Sequence, residues 1–340
     1  MRKGTNPAKL KDNKVENDCF HQIIVPIYLP ELEGYYAEGL DILKLCLESI
    51  YLTVHDKTYI SVVNNGSCQE VRSYLDDMMR QEKIQEVIHT TAIGKINAIA
   101  KGLSGHHFEL VTITDADVLF TNGWQKAVYE IYEIFPKAGM VSTTPNSKML
   151  RHLTENVHFD YLFDKTLKFR PASNPNDMLK FAESIDNIDL FKKAHLNKIL
   201  SIEKEGIIAN VGAGHFTGTY KINLLKKLRE FYSWDKISPN SDKESLDIPS
   251  VENGHWRLST QHNYSYHLGN HIEEWMLEKF SDLKKNTPEN FEDKPIFSIN
   301  QTSHFNKLKQ KITRKLLFNK YVWRKYLQYL GLNRLEAKKY

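Results

Sequence analysis

Apolar and polar positions alternate along the first third of the chain in a way that separates strands from helices. HQIIVPIYLP (21–30) is a short apolar run stopped by prolines, as expected of a strand buried on both faces of a parallel sheet. Residues 38–54 then place Leu40, Leu43, Leu47, Ile50 and Tyr51 at helical spacing. YISVVNNGS (59–67) reads as a second buried strand closed by an Asn-Asn-Gly-Ser turn. A helix is expected in QEVRSYLDDMMRQEKI, a short strand in QEVIHT, and another helix in GKINAIAKGLSG (94–105), ending at glycine. FELVTIT (108–114) is the third strong strand and runs straight into Asp115-Ala116-Asp117. This rhythm with short joints predicts an α/β architecture, a mainly parallel central sheet flanked by helices. Ligands of such sheets sit beyond the carboxyl ends of the strands. The turns after Pro26, at 64–67 and at 115–117 all fall there, so they are expected to converge on one crevice.

Beyond this the pattern weakens. Residues 145–210 are polar, rich in Asn and His, and give no assignable period. Residues 205–234 return to pattern as a glycine-rich loop followed by an amphipathic helix, and 235–254, with Pro, Ser and Asp, read as a loop. HWRLSTQHNYSYHLGNH (255–271) alternates strand-like segments with histidines. There is no internal repeat.

Composition narrows the class. The chain has 340 residues, 41% hydrophobic and 26% charged, enough for one large globular α/β domain with an appendage and far from a disordered composition. Cys19, Cys46 and Cys68 form neither a disulfide framework nor a CxxC ligand spacing, so reduced thiols are expected. The polar start MRKGTNPAKLKDNKVEND has no apolar stretch behind its basic residues, and no run approaches the roughly 18 apolar residues of a membrane span. A cytoplasmic protein is the expectation. Charge is uneven: 305–340 holds eleven Lys/Arg against Glu336 alone, a net +10, so the rest carries −6 of the overall +4.

The first chemical candidate is the Asp115/Asp117 pair. Two carboxylates one residue apart at a strand end can share a hard divalent cation such as Mn2+ or Mg2+, which prefers oxygen ligands and keeps places open for phosphates. A solvated turn would also produce this spacing. Delivery by a buried strand to the predicted crevice favours the metal.

In order and spacing, VPIYLP, VVNNGS, GKINAIAKGL and FELVTITDADVLFTNGW resemble the N-terminal half of the family-two type GT-A glycosyltransferases, the nucleotide-diphospho-sugar transferases. The likeness covers 21–126 and resumes at GAGHFTGTYKINLLKKL and at HLGN (267–270). It implies a GT-A fold over 21–300, with a nucleotide-binding half at about 21–145 and an acceptor half at about 146–300, between a flexible leader (1–20) and a basic helical tail (301–340). It implies that Pro26, Ile27 and Tyr28 line the nucleotide site, with Gly66, Asp115 and Ala116 in the matching motifs; Lys95 is a candidate to reach a phosphate, the alternative being a lysine at an exposed helix start. Asn64 stands where the family usually has an Asp that bonds the base; an amide donates as well as accepts, which leaves the base open. The likeness makes Asp117 the main metal ligand, Asp115 its partner at ribose or metal, and His267 a third ligand. Inverting members use a carboxylate in an acidic ED pair to take the acceptor proton. No ED pair occurs in NSDKESLDIPSVENG, so Asp242, Glu244 and Asp247 remain candidates, with Asp247 preferred. Gly214, His215 and Phe216 are expected to shape the acceptor site, while Trp256 and Arg257 are expected to pack.

The expected activity is metal-dependent, inverting transfer of a sugar from a nucleotide-diphosphate donor to a hydroxyl of a glycan or glycolipid, in surface polysaccharide or glycolipid synthesis. A nucleotidyltransferase would carry a Gly-rich phosphate loop at the first strand, where VPIYLPELEG stands; a non-catalytic nucleotide-sugar-binding relative is the other alternative. In the tail, Leu316, Leu317, Val322, Trp323, Tyr326, Leu327 and Leu330 at helical spacing predict an apolar side beside a cationic one. That suits either an anionic membrane surface, on the inner face of the cell membrane, or a helix pair packed on the domain. No nucleic-acid-binding module is evident.

Overall fold

The computed structural model describes residue 4 and residues 18–230, 232–234, 241–285, 295, 297 and 305–340. The leader assigned to 1–20 therefore lies almost wholly outside the described residues. Strands are numbered β1 (His21–Ile27), β2 (Thr58–Asn65), β3 (Glu86–Thr90), β4 (Leu110–Thr114), β5 (Val118–Phe120), β6 (Ala138–Ser142), β7 (Lys168–Pro171), β8 (Lys198–Lys204), β9 (Ile207–Val211), β10 (Thr217–Lys221), β11 (Trp256–Thr260) and β12 (Ser265–His267). Ten form one sheet in the order β3-β2-β1-β4-β10-β6-β11-β9-β8-β7, and β5 pairs with β12 in a separate two-stranded ladder. β1 to β4 run parallel, as do β6 and β11; β10 is antiparallel between β4 and β6, and β9, β8 and β7 extend the far side antiparallel.

The apolar run of β1 is continuous because both faces of the sheet are covered. Side chains alternate between faces. Ile23, Val25 and Ile27 enter a core with helices Gly39–Thr53, Gln69–Arg80 and Trp124–Ile134, whereas Ile24 enters a second core with helix Lys95–Leu103. Helix 39–53 buries Leu43, Leu47 and Ile50 as its spacing predicts, while Tyr51 turns outward under Lys83.

Two expectations change. Among the described residues no amphipathic helix follows the glycine-rich loop: Thr217–Lys221 is β10, and two 3-10 turns, Ile222–Leu224 and Lys226–Glu230, succeed it. Pairing on both sides with β4 and β6, and burial of Tyr220, Leu225 and Leu228 in the second core, override the local helical period. Within the loop predicted at 235–254, a π-turn at Lys243–Asp247 leads into helix Ile248–Glu252; 235–240 lie outside the described residues. The unassigned middle is β7 to β9 with short helices such as Pro175–Ser184.

The tail forms helix Asn306–Ile312, continuing as a π-turn at Thr313–Leu317, and helix Lys320–Tyr329. Its predicted apolar side divides. Trp323, Tyr326, Leu327 and Leu330 enter the first core, whereas Leu316 and Val322 are exposed. Phe169 N–H donates to Leu330 O at 3.0 Å, and Lys198 pairs with Glu336 at 2.9 Å, fixing the tail to β7 and β8. Among the described residues no helix is long and apolar enough to cross a membrane.

Candidate active site

The three turns at the carboxyl ends of β1, β2 and β4 do converge. Pro26, Tyr28, Tyr36 and Asp115 line two adjoining cavities. The larger, about 440 Å³, adds Ile27, Asn65, Gly94, Lys95 and Asp242; the smaller, about 220 Å³, adds Ala116, Asp117, Gly269 and Asn270.

Strand pairing builds the acidic floor. Asp115 and Asp117 lie between β4 and β5, and Asp115 N–H donates to Phe216 O at 2.8 Å. The β5–β12 ladder sets Val118 opposite His267, and Leu268 N–H donates to Asp117 O at 2.8 Å. His267 Nε2 thereby stands 3.4 Å from Asp117 Oδ2, its Nδ1 hydrogen-bonded with Ser184 Oγ at 2.9 Å. Among the described residues Asp117 Oδ1 is buried with no hydrogen-bond partner. Burial pushes the Asp117 carboxyl above its usual range, and neighbouring Asp115 adds to this against the opposing pull of His267. An orphaned carboxylate oxygen beside an imidazole fits a divalent cation, since a buried polar atom left unpaired is costly. Asp115 itself turns toward Lys95, whose Nζ reaches Asp115 Oδ1 at 2.6 Å and Asp242 Oδ2 at 2.9 Å. Burial alone would lower the lysine pKa, but the two carboxylates outweigh it and hold the ammonium charged. Among the described residues no group of three or more His, Cys, Asp or Glu side chains is gathered around one point, so protein ligands alone do not complete a coordination shell.

The remaining predicted residues fall into place or away from it. Asn64 is buried, its Oδ1 accepting from Ser67 N–H at 2.9 Å and its Nδ2 contacting His89 Nδ1 at 3.0 Å; the next residue, Asn65, lines the cavity. Gly66 has φ +86, and a Cβ there would stand 2.7 Å from Ala92 N, so the turn requires glycine. Phe216 stacks on Phe181 and meets His267 edge-on at 5.5 Å, packing the floor from behind. At Gly214 a Cβ would meet only Phe216, at 3.9 Å.

The preferred base, Asp247, is fully buried and outside both cavity linings. Its Oδ2 lies 2.9 Å from Arg257 NH2, an ion pair without good hydrogen-bond angle, and Tyr220 OH donates to its Oδ1 at 3.4 Å. His215 Nδ1 stands 3.6 Å from the same Oδ2. Glu244 is exposed. Of the three carboxylates only Asp242 reaches the crevice, its Oδ1 buried and without a partner among the described residues. Arg257, expected to pack, does so as the buried counter-ion of Asp247 and a donor to Ala213 O at 2.9 Å. Trp256 packs against Tyr161. Tyr36, Asn65 and Asn270 were not predicted; only their proximity to turn signals, Asn65 within VVNNGS and Asn270 within HLGN, pointed to them.

A sheet ordered β3-β2-β1-β4 whose carboxyl rim bears an acidic pair, a lysine and aromatic walls defines the chain as a GT-A-type transferase. Residues 33–198 match the model of glycosyl transferase family 2. That match marks 33–198 as similar to this family, and the chain is a glycosyltransferase. Similar solved structures include the mannosyltransferase PcManGT from Pyrobaculum calidifontis in complex with GDP-Man and Mn2+, at 14% identity and TM-score 0.45, covering 94% of this chain and 78% of that one. S. aureus TarS 1-349 is similar at 12% identity and TM-score 0.42, covering 92% and 81%; its complex with UDP-GlcNAc is at 11% and 0.41, covering 91% and 80%. No curated protein matches the chain.

Proposed function

We propose that the crevice transfers a sugar, with inversion, from a nucleotide-diphosphate donor to a hydroxyl of a glycan or glycolipid, with the help of Mn2+ or Mg2+. The observation that carries this is the buried, unpartnered Asp117 Oδ1 beside His267, on the wall of a cavity shared with Asp115. Asp117 and His267 would hold the ion, with Asp115 next to them. The bound ion would neutralise charge on the departing diphosphate, commonly a large catalytic contribution. Lys95, paired with Asp115 and Asp242, places an ammonium on the wall of the adjoining larger cavity. Pro26, Ile27 and Tyr28 border the nucleotide, and exposed Tyr28 and Tyr35 offer ring faces to a base.

We assign the acceptor proton to Asp242 rather than Asp247. A base must reach the proton it takes: Asp242 lines the cavity, its Oδ2 paired with Lys95 and its Oδ1 without a partner among the described residues, while Asp247 is fully buried outside both cavities beside Arg257. The acceptor oxygen then forms a bond to the anomeric carbon, the bond from that carbon to the diphosphate oxygen breaks with its electron pair leaving on the diphosphate, and the proton goes to Asp242. His215, half-exposed beside the Asp242 segment, is the residue of this loop that would border the acceptor, while Phe216 supports the floor from behind. The experiment is a thermal-shift series with nucleoside diphosphates with and without Mn2+, followed by transfer assays with the sugar donor of the nucleotide that binds. Nucleotide stabilisation should require the metal and vanish in Asp117→Ala; metal-independent stabilisation that survives this change would end the metal assignment.

A further inference from the structure

The helical segment 306–317 is turned opposite to its composition. Asn306, Gln310 and Thr313 face inward at 7%, 6% and 3% exposure, Gln310 Nε2 donating to Val251 O at 2.7 Å. Leu308, Ile312 and Leu316 face outward at 50%, 39% and 61%. Four-residue spacing stacks these three in one row, and Lys307, Lys311 and Lys315 form the row beside it. Exposed Lys320, Tyr321, Val322 and Lys325 continue the surface across the next helix. Acid is nearly absent: Glu336 is the sole carboxylate side chain after 305 and is held by Lys198. Among the described residues no ion pair engages Lys311, Lys315, Lys320 or Lys325, and Lys307 only approaches exposed Glu252, at 3.9 Å.

Burying apolar side chains in water-exposed rows normally calls for a partner, and the chemistry here selects one. Protein interfaces deplete lysine at their centre, and a second copy would bring the same positive rows face to face. Leucine and isoleucine alternating with lysine instead match the boundary between anionic headgroups and acyl chains. We infer that this face docks on an anionic lipid bilayer, with Leu308, Ile312 and Leu316 entering the headgroup boundary and Lys307, Lys311, Lys315 and Lys320 meeting lipid phosphates. These are not the apolar residues of the tail that the domain core absorbs. The segment packs beside Val251, ahead of the amino end of β11, whereas the crevice opens at the carboxyl ends of the strands. Docking and donor binding are therefore separable.

The test is flotation of the full chain with vesicles of phosphatidylcholine alone or with a third phosphatidylglycerol. The chain should float only with the anionic vesicles. A lysine near such a surface contributes about fivefold in partition, so K307E/K311E/K315E should bind at least about a hundredfold more weakly. L308S/I312S/L316S should lose flotation while keeping the wild-type melting temperature and nucleotide binding. Nucleotide binding by the wild-type chain is read separately, so its absence counts against the proposed function and not against docking; should the serine variant melt early, K307E/K311E/K315E at the wild-type melting temperature carries the test. A wild-type chain that stays with the supernatant, or triple variants that float like it, would overturn the inference. So would a dimer in light scattering that the apolar triple variant abolishes.

Discussion

The two halves of the sheet hold their polar groups by different means. Around β1 to β4 the site is local: Asn64 and Asn65 cap nearby backbone, accepting from Ser67 and Ile93 N–H, and the acids follow directly on β4. Around β10 and β11 it is assembled from afar. Asp247, Arg257, Tyr220 and His215 come from four segments and meet in one cluster whose ion pair is fully buried. In the first half polar groups line the cavity even where they are paired, and Asp117 Oδ1 has no partner among the described residues; those in the second are paired with each other inside the core. Substitutions should therefore cost activity in the first half and stability in the second.

The largest effect belongs to Asp117→Ala. Transfer should fall by about three orders of magnitude or more, as when an electrostatic stabiliser of the transition state is lost, while the urea midpoint stays near wild type. A variant with unaltered turnover would remove the crevice floor from the mechanism. Asp242→Asn should lower kcat by about 10²–10⁴-fold, the range for loss of a general base, with KM for the donor little changed. If Asp247→Asn gave that kinetic signature and Asp242→Asn did not, the base would lie in the buried cluster and the contrast between the halves would fail.

The same contrast explains what could be read from residue order. Strands β1, β2 and β4 are buried on both faces, so their apolar runs stand out, and the acids at 115 and 117 are adjacent to one of them. The β5–β12 ladder has three residues per strand, too short for a period, and only family likeness drew attention to His267. Asp242 and Asp247 are five residues apart in a polar stretch; nothing local distinguishes a carboxylate that lines the cavity from one locked to an arginine. Arg257 sits in WRLST at 0% exposure, where spacing suggests packing but cannot supply the counter-ion.

Stability tests the second half. Arg257→Met removes one partner of a pair in which both side chains are fully buried, leaving Asp247 charged in a dry site. Such a change costs about 3–5 kcal/mol, to be read as a shift of the urea midpoint. The double change Arg257→Met/Asp247→Leu should recover part of it, because replacing a buried pair by apolar groups is often near neutral. A single variant within 1 kcal/mol of wild type, on the order of a surface substitution, would show that the cluster does not hold this half together.

His215 marks the border between the halves and carries the smallest effect. Its imidazole is raised above the ordinary 6.5, first by the Asp247 carboxylate 3.6 Å away, against the opposing effect of burial, with Asp242 adding to the rise and Lys95 opposing it. A histidine raised on folding stabilises the protein fully below the unfolded value, and that contribution disappears as pH climbs through the folded one. With the side chain 45% exposed, solvent screening keeps the gain below about 1 kcal/mol. His215→Asn should therefore lose stability in urea at pH 6 and almost none at pH 9. Equal losses at both pH values would mean that His215 acts by packing, and that the charge cluster ends at Arg257.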